Sequence, residues 1–334
     1  MSETGGDQQT ARLVAVVVTF NRLAHLKITV PRLLSEAVDC VIVVDNGSSD
    51  GSREWLRAQQ NDRLRVIESP VNGGGAGGIE MGMRAAIADE NPDWLIIMDD
   101  DARPEPGAIA HFRQLDLKGA DAVSCGAFMP DGSVCEMNRP SINPFWHRGM
   151  LWKTLLKGRM GFHIPDSAYT NPDLTEIDAG SFVGLFVSRK TVEAIGYPDG
   201  RLFIYGDDVM YTLGLSKAGF RLVFAPSVRF EHDCSAVAGW GAGGKVYRPY
   251  WKIYYNYRNG LLMYRMAAGP LFFWPVLALS ILRWVRAAKP YGPDKPIYFR
   301  LLRLGIMDAL RNRRTRTHAE IMAIAEGATP PPRA

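Results

Sequence analysis

The chain has 334 residues, 47% of them hydrophobic and 22% charged, with a formal net charge of +4. That length buries a substantial core, as one large domain or one domain with an appendage, and the composition excludes an intrinsically disordered or collagen-like chain. The mild net charge hides an asymmetry: Arg283 to Arg316 carries ten Lys/Arg against two Asp, so the basic character is C-terminal and the remainder is acidic on balance.

Cys40, Cys125, Cys135 and Cys234 form no CxxC pair, which fits free thiols in a reducing compartment. The first ten residues, MSETGGDQQT, are polar and lack an apolar signal core, so a cytoplasmic protein is expected. Leu13 to Thr19 (LVAVVVT) is a continuous β-branched run, the pattern of a strand buried on both faces of a parallel sheet. It stops at Phe20-Asn21-Arg22, and a helix is expected through Leu23 to Leu34. Cys40 to Val44 predicts a second buried strand. It runs into Asp45-Asn46-Gly47-Ser48-Ser49-Asp50-Gly51, turn chemistry followed by the cap of a helix over Ser52 to Gln59. Leu64 to Glu68 is a short third strand. The run Asn72 to Gly78 (NGGGAGG) then leads into a helix through Ile79 to Ala88. It does not match GxGxxG after a first strand, which argues against a dinucleotide fingerprint. A flexible loop is one reading, and close backbone approach to a nucleotide or sugar is preferred.

Trp94 to Asp101 (WLIIMDDD) is an apolar strand ending in three carboxylates, which repel one another unless a cation sits among them. Alternate side chains of an extended chain share a face, so Asp99 and Asp101 can enter one site while Asp100 points elsewhere. The alternative is a solvated acidic turn. Strands and helices alternate in the rhythm of a doubly wound α/β sheet, where ligands bind at the carboxyl ends of strands, and these motifs all fall at such ends.

Ala120 to Thr175 mixes Pro, aromatic and polar residues and yields no assignable roles. Strand character returns at Ile177 to Ser188 (IDAGSFVGLFVS). Gly206-Asp207-Asp208 then precedes a helix from Val209 to Ala218, and the two carboxylates fit either simple capping or a site. Phe220 to Ala225 is a further strand, and Val228 to Phe230 delivers Glu231-His232. A lone His is more often a surface or core residue than a ligand. After a carboxylate cluster, however, His232 becomes a candidate third ligand. It precedes Gly239 to Gly244, a stretch able to close over a site. Tyr247 to Tyr264 interleaves aromatics with Arg and Lys, as nucleic-acid binders and membrane-interface helices both do. Met266 to Leu282 holds 17 residues without charge, interrupted by Pro270 and Pro275. That is the lower limit for a span, and the prolines and flanking Arg favour an interfacial segment over a core helix. Arg311 to Arg316 reads as a solvated basic face or a lipid-attracting patch.

The ordered set VVVTFNR, VVDNGSSDG, NGGGAGG, WLIIMDDD, IDAGSFVG, FIYGDDVMY and FEHD, from Leu13 to Arg258, resembles the family 2 inverting glycosyltransferases of the GT-A fold, a Rossmann-like nucleotide-diphospho-sugar transferase architecture. Within that family, NGGGAGG, the triple Asp, RLFIYGDD and YYNYRN look most like bacterial galactofuranosyltransferases and rhamnosyltransferases. The resemblance implies that Thr19, Asn21 and Arg22 border the nucleotide pocket and that Asp45 recognises the base. It implies that Asn72, Gly74, Gly75, Asp99 and Asp100 line the nucleotide-sugar site. Asp99, Asp101 and His232 would hold Mn2+ or Mg2+, Asp208 would be the catalytic base, and Asp207 would assist. Ala179-Gly180 stands where many relatives carry bulky aromatics.

The residue types fit that chemistry. A nucleoside diphosphate leaves poorly until its charge is neutralised, which a divalent cation does. The acceptor hydroxyl needs a base opposite the leaving group. The expected organisation is a disordered start (1–10), a GT-A domain (11–245), a helical, basic, membrane-apposed region (246–326) and a disordered tail (327–334). The expected donor is UDP-galactofuranose, with a dTDP-rhamnose-dependent rhamnosyltransferase as the alternative. The acceptor would be a glycan or polyprenyl-linked carrier in cell-surface polysaccharide synthesis, reached at the inner face of the cell membrane without nucleic acid. The oligomeric state is left open. Rival readings are a nucleotidyltransferase or nicotinamide-dependent enzyme, which would want its phosphate fingerprint where this chain has TFNR, and a non-catalytic nucleotide- or membrane-binding partner.

Overall fold

A computed structural model describes residues 10–233 and 246–327, except for the side chains of Arg159 and Met160. Cys234, the glycine stretch Gly239 to Gly244 and, but for Thr10 and Gly327, the two expected disordered ends lie outside the described residues. The first strands form where the apolar runs predict them: β1 (Leu13–Thr19), β2 (Cys40–Asp45), β3 (Leu64–Glu68) and β4 (Trp94–Asp99). Helices α1 (Leu23–Ser35), α2 (Ser52–Arg57) and α3 (Gly74–Ala85) connect them. These four strands pair in parallel in the order β3-β2-β1-β4. β1 and β2 are buried along their whole length, as a sheet covered on both faces requires.

Beyond β4 the α/β sheet becomes mixed. After β4 come β5 (Ala102–Pro104), α4 (Ala108–Gln114), β6 (Ala122–Phe128), α5 (Arg148–Lys157), α6 (Ser167–Thr170) and β7 (Thr175–Glu176). Next are β8 (Leu185–Ser188), α7 (Arg189–Ile195), α8 (Asp207–Lys217) and β9 (Leu222–His232). The order continues β4-β8-β6-β9-β5, with β8 antiparallel to both β4 and β6 and with β6 parallel to β9. An apolar run reads the same in either direction, so the reversal has no sequence signature. Two further boundaries differ from expectation. The strand foreseen over Ile177 to Ser188 is confined to β8, and α8 starts at Asp207, so both carboxylates occupy its first turn. The consequence for function is that β4, the turn after it, β9 and the start of α8 deliver their acidic and His residues to one end of the sheet.

The C-terminal part is helical, as expected: α9 (Trp251–Arg286), α10 (Lys295–Leu310) and α11 (His318–Glu326). It forms its own apolar cluster, from Tyr254 and Leu261 to Tyr298 and Ile321, and that cluster also takes in Ala76, Leu202, Phe203 and Met210 from the sheet-bearing part. α9 turns sharply at Gly269, whose φ of 64° is in the left-handed region, just before Pro270.

The glycine run has an internal packing reason. A Cβ at Gly78 would sit 2.5 Å from Val18 Cγ1, and one at Gly82 would sit 2.4 Å from Val16 Cγ1, so α3 lies directly on β1. Val16 is a stiff β-branched residue on a central strand and cannot turn aside. Gly82→Ala gains about 1 kcal/mol of helix propensity. It overpacks the interface by about 1–3 kcal/mol. Because the second term is the larger, the variant is expected to be net destabilised, read as a lower urea midpoint at unchanged slope.

Candidate functional site

Three acidic residues leave β4 where β5 turns back onto β9. Asp100 is buried and turned aside: its Oδ2 accepts from the Thr19 hydroxyl at 2.6 Å, and Arg22 Nε lies 3.3 Å from its Oδ1. Asp101 faces the other way, with Arg22 Nη1 3.0 Å from Oδ2 and His232 Nε2 3.3 Å from Oδ1. β5 brings His232 there by pairing Ala102 with it across the sheet edge. Asp99 keeps an accessible surface but is densely surrounded by protein, where it feels the charges of Asp101, His232 and Asp208. Asp100 and Asp101 lie in the turn after β4 and share the Arg22 guanidinium, while Asp101 also meets His232.

The electrostatics follow from this crowding. Enclosure by surrounding protein, then the Asp101 charge, raise the Asp99 carboxyl to about 7. Burial raises Asp100 to about 7 against the opposing pull of Arg22 and Thr19. Burial also works against ionisation of Asp101, but the bond to His232 and the Arg22 charge outweigh it and hold that carboxyl below its ordinary value. Burial works against the His232 imidazolium too, yet its bonds to Asp101 and Cys135 raise it to about 10. Asp101 and His232 are therefore an ion pair at neutral pH.

Asp207 and Asp208 open α8, and the residues before them form a strap with unusual backbone geometry. Phe203 and Tyr205 have φ of 68° and 71°, a left-handed conformation that side chains make costly. The strap is fastened from α9. Arg258 and Asn259 are both fully buried. Asn259 Nδ2 donates to the carbonyls of Leu202, Ile204 and Tyr205 at 3.0, 2.8 and 2.9 Å. Arg258 Nη2 donates to Leu202 and Arg201 at 2.8 and 3.1 Å, and Arg258 Nε donates to Asn259 Oδ1 at 2.7 Å. From the other side the Phe203 carbonyl takes the Ala76 N–H at 3.2 Å. A Cβ on Gly74 would fall 2.1 Å from that same oxygen, so glycine is required there. Burial raises the Asp208 carboxyl to about 6, with the Val209 N–H opposing, and burial together with Asp208 pushes Asp207 well above the carboxylate range. The two carboxyls open one helix in surroundings that disfavour charging both at once.

The remaining predicted residues surround this centre but are engaged within the protein. Asn21 Oδ1 accepts from Ser49 N at 2.7 Å, and Asn72 Oδ1 accepts from Gly74 N at 2.8 Å. Asp45 is wholly buried and accepts from Arg53 Nε and Nη2 at 2.9 and 2.7 Å. Gly75 faces open space. The loops after β1, β2 and β3 are thus tied to one another at the carboxyl edge of the parallel strands.

Residues 14–171 match the family described as glycosyl transferase family 2. Galactofuranosyltransferase GlfT1 of Mycolicibacterium smegmatis is 30% identical over 258 residues, spanning 75% of this chain and 82% of that protein. The chain is a family 2 glycosyltransferase. The N-acetylglucosaminyl-diphospho-decaprenol L-rhamnosyltransferase of Mycobacterium tuberculosis is 28% identical over 246 residues, covering 66% of this chain and 75% of the relative. The crystal structure of GalNAc-T7 with UDP, GalNAc and Mn2+ superposes with a TM-score of 0.51 at 13% identity, over 77% of this chain and 48% of that one, which establishes the GT-A fold.

Within this family 2 glycosyltransferase the three expected metal ligands do not form a ready-made cluster, and among the described residues no group of three or more His, Cys, Asp and Glu has metal-holding geometry. Asp101 and His232 nevertheless fit an ion. Adjacent ligands about 2.1 Å from an octahedral ion stand about 3 Å apart, and these atoms are 3.3 Å apart. Asn138 Oδ1 accepts from His232 Nδ1 at 2.7 Å, which turns Nε2 toward Asp101 and leaves it as the ligating nitrogen. Asn138 was invisible in the sequence because it lies in the irregular stretch. Arg258 and Asn259 were noticed there only as part of YYNYRN.

Asn259 provides the sharper test of the strap. Asn259→Ala should lose about 1–3 kcal/mol, the usual cost of leaving buried carbonyls unsatisfied, together with most turnover. The nearly isosteric Asn259→Asp turns a donor into an acceptor facing three carbonyls and should be at least as damaging. Thermal melting and steady-state turnover of both variants check this, and a near-neutral Asp variant would mean that only volume matters.

Proposed function

We propose that this glycosyltransferase moves galactofuranose from UDP-galactofuranose onto a glycan or polyprenyl-linked acceptor, with inversion, using Mn2+ or Mg2+ at Asp101 and His232. The observation that carries the reading is the 3.3 Å contact of Asp101 with His232, beside Asp99, whose carboxyl feels the charges of both Asp101 and Asp208, so a cation-holding pair and a base candidate share one site. The donor preference is supported by the 30% identical galactofuranosyltransferase. The rhamnosyltransferase at 28% keeps dTDP-rhamnose as the second reading.

A divalent ion, when bound, neutralises the charge that develops on the leaving diphosphate. Asp101 and His232 would hold it, with Asp99 beside them, and His232 must first give up its proton. Arg22, already at the carboxylates, is positioned to add a fixed positive charge near the phosphates. Asp208 would take the proton from the attacking acceptor hydroxyl, and Asp207 beside it would assist by contacts to acceptor or donor. Thr19, Asn21, Asp45, Asn72, Gly74, Gly75 and Asp100 would shape the nucleotide-sugar pocket chiefly by fixing the loops that border it. A cavity of about 420 Å³ on the far side of α8, lined by Tyr197, Leu202, Asp207, Met210 and Met266, supports acceptor access from the helical region. Under the same reading residues 11–245 are the GT-A domain and 246–326 a helical region at the cytoplasmic face of the membrane. α9 is long and apolar enough to cross a membrane by length and composition. Its stretch after Gly269 is about 25 Å long at 1.5 Å per residue. That is shorter than a hydrocarbon core of about 30 Å, and it supports a helix lying in the interface.

Four measurements bear on this. Asp208→Asn should lower turnover by about 10²–10⁴-fold, the range for a general base, while the melting shift given by UDP with Mn2+ persists; near-normal turnover would remove Asp208 from that role. Because the base acts ionised, wild-type kcat/KM should fall as pH drops through about 6, the Asp208 value. Mn2+ must displace the His232 proton held up to about 10. Its affinity should therefore rise with pH, by up to about tenfold per unit near neutrality, and His232→Gln should flatten that slope. UDP and dTDP compared in the same melting assay decide between the two donors, and no shift with either nucleotide and metal would favour a non-catalytic protein.

A further inference from the structure

We propose that the outward face of α5 and the outward face of α9 beyond Gly269 form one lipid-binding surface, making α5 a second anchor on an anionic bilayer. This rests on the membrane-surface reading above and extends it to an element far away in sequence.

α5 buries none of its residues. Trp152, Leu155 and Leu156, spaced i, i+3, i+4 on one face, are 68%, 65% and 84% exposed. α9 after its turn is apolar on both sides. Phe273, Leu277 and Trp284 face the protein, while Leu271, Trp274, Leu279 and Leu282 face outward and are 56–77% exposed. A helix apolar all round belongs in an apolar environment, and the protein supplies only half of one. The two faces are joined. Phe145, leading into α5, packs on Phe272 at 5.7 Å between ring centroids, and Asn143 Nδ2 donates to the Ala267 carbonyl at 3.0 Å beside the turn. The combined patch exceeds what scattered surface leucines explain.

Charge selects the occupant. Neither 142–164 nor 251–286 contains an Asp or Glu, while Arg148, Lys153, Lys157, Arg265, Arg283 and Arg286 rim the apolar residues and are exposed. An apolar face with a basic border suits acyl chains beneath anionic headgroups. A second copy pairing through the same patch would set these cations against their own kind.

The test is flotation of the full-length protein with vesicles of phosphatidylcholine alone or mixed with phosphatidylglycerol. Wild type should float with the anionic vesicles and weakly or not at all with the neutral ones. Leu155→Glu/Leu156→Glu, exposed positions that should leave melting unchanged, should weaken binding by at least about tenfold, as should Leu271→Glu/Trp274→Glu. Trp152→Phe should also reduce quenching of the protein's emission by lipids with brominated chains. If the α5 variant floats like wild type while the α9 variant does not, α5 is no anchor, though the membrane reading stands. If wild type floats with neither vesicle, both fall. Equal binding to neutral vesicles overturns the role of the basic rim. A concentration-dependent dimer that the α5 variant breaks, without vesicle binding, makes the face a contact between copies and overturns the proposal.

Discussion

Everything at the carboxylate end of the sheet depends on a side-chain amide and a guanidinium buried on α9. Asn259 and Arg258 satisfy the carbonyls of a strap that has no strand or helix to satisfy them, and the strap's left-handed residues persist only because both flanks are held. The arrangement costs the desolvation of a cation. That cost is offset by two carbonyls, the Asn259 amide and the faces of Tyr254 and Tyr255, each 5.1 Å from the guanidinium carbon. The GT-A sheet and the helical region are therefore coupled at the point where the sheet side begins α8. The geometry of Asp207 and Asp208 is set from outside the sheet.

The second constraint is charge neutrality among carboxylates that the fold forces together. Asp99, Asp100 and Asp101 cannot all be ionised without compensation, and the structure shows three separate answers. Arg22 bridges Asp100 and Asp101, His232 adds a second cation against Asp101, and Asp99 and Asp100 are pushed up toward neutrality. A cation entering at Asp101 would take over the role of the His232 proton, so proton and metal compete for one place. This makes the cluster responsive to its ligand state in a way that an isolated acidic turn would not be.

Much of this was legible in the sequence, for identifiable reasons. β1 and β3 match their predicted spans residue for residue, and β2 by all but its last; for β1 and β2 the reason is that both faces are covered, whereas β3 is an edge strand that keeps Arg65 and Glu68. The acidic and His residues were legible because each ends such a run. The reversal of β8 was not, since burial does not encode direction. The run Asn72 to Gly78 reads as a loop of close backbone approach. That Gly78, and Gly82 beyond the run, also leave room for Val18 and Val16 was hidden, because only the sheet topology brings those residues beneath them. The role of Asn259 was hidden because its partners are backbone carbonyls more than fifty residues away, and a carbonyl leaves no mark on sequence. α5 fell in a stretch without periodic burial because it has no protein face to bury.

The turn at Gly269 separates α9 into two parts with different surroundings. From Asn259 to Gly269 the helix runs about 15 Å at 1.5 Å per residue, with one end on the strap and the other where the outward apolar face begins. A rigid rod of that length acts as a ruler. On the proposed membrane-surface reading, an acceptor held at the apolar face would have to span that same reach with its polar head to meet the carboxylates.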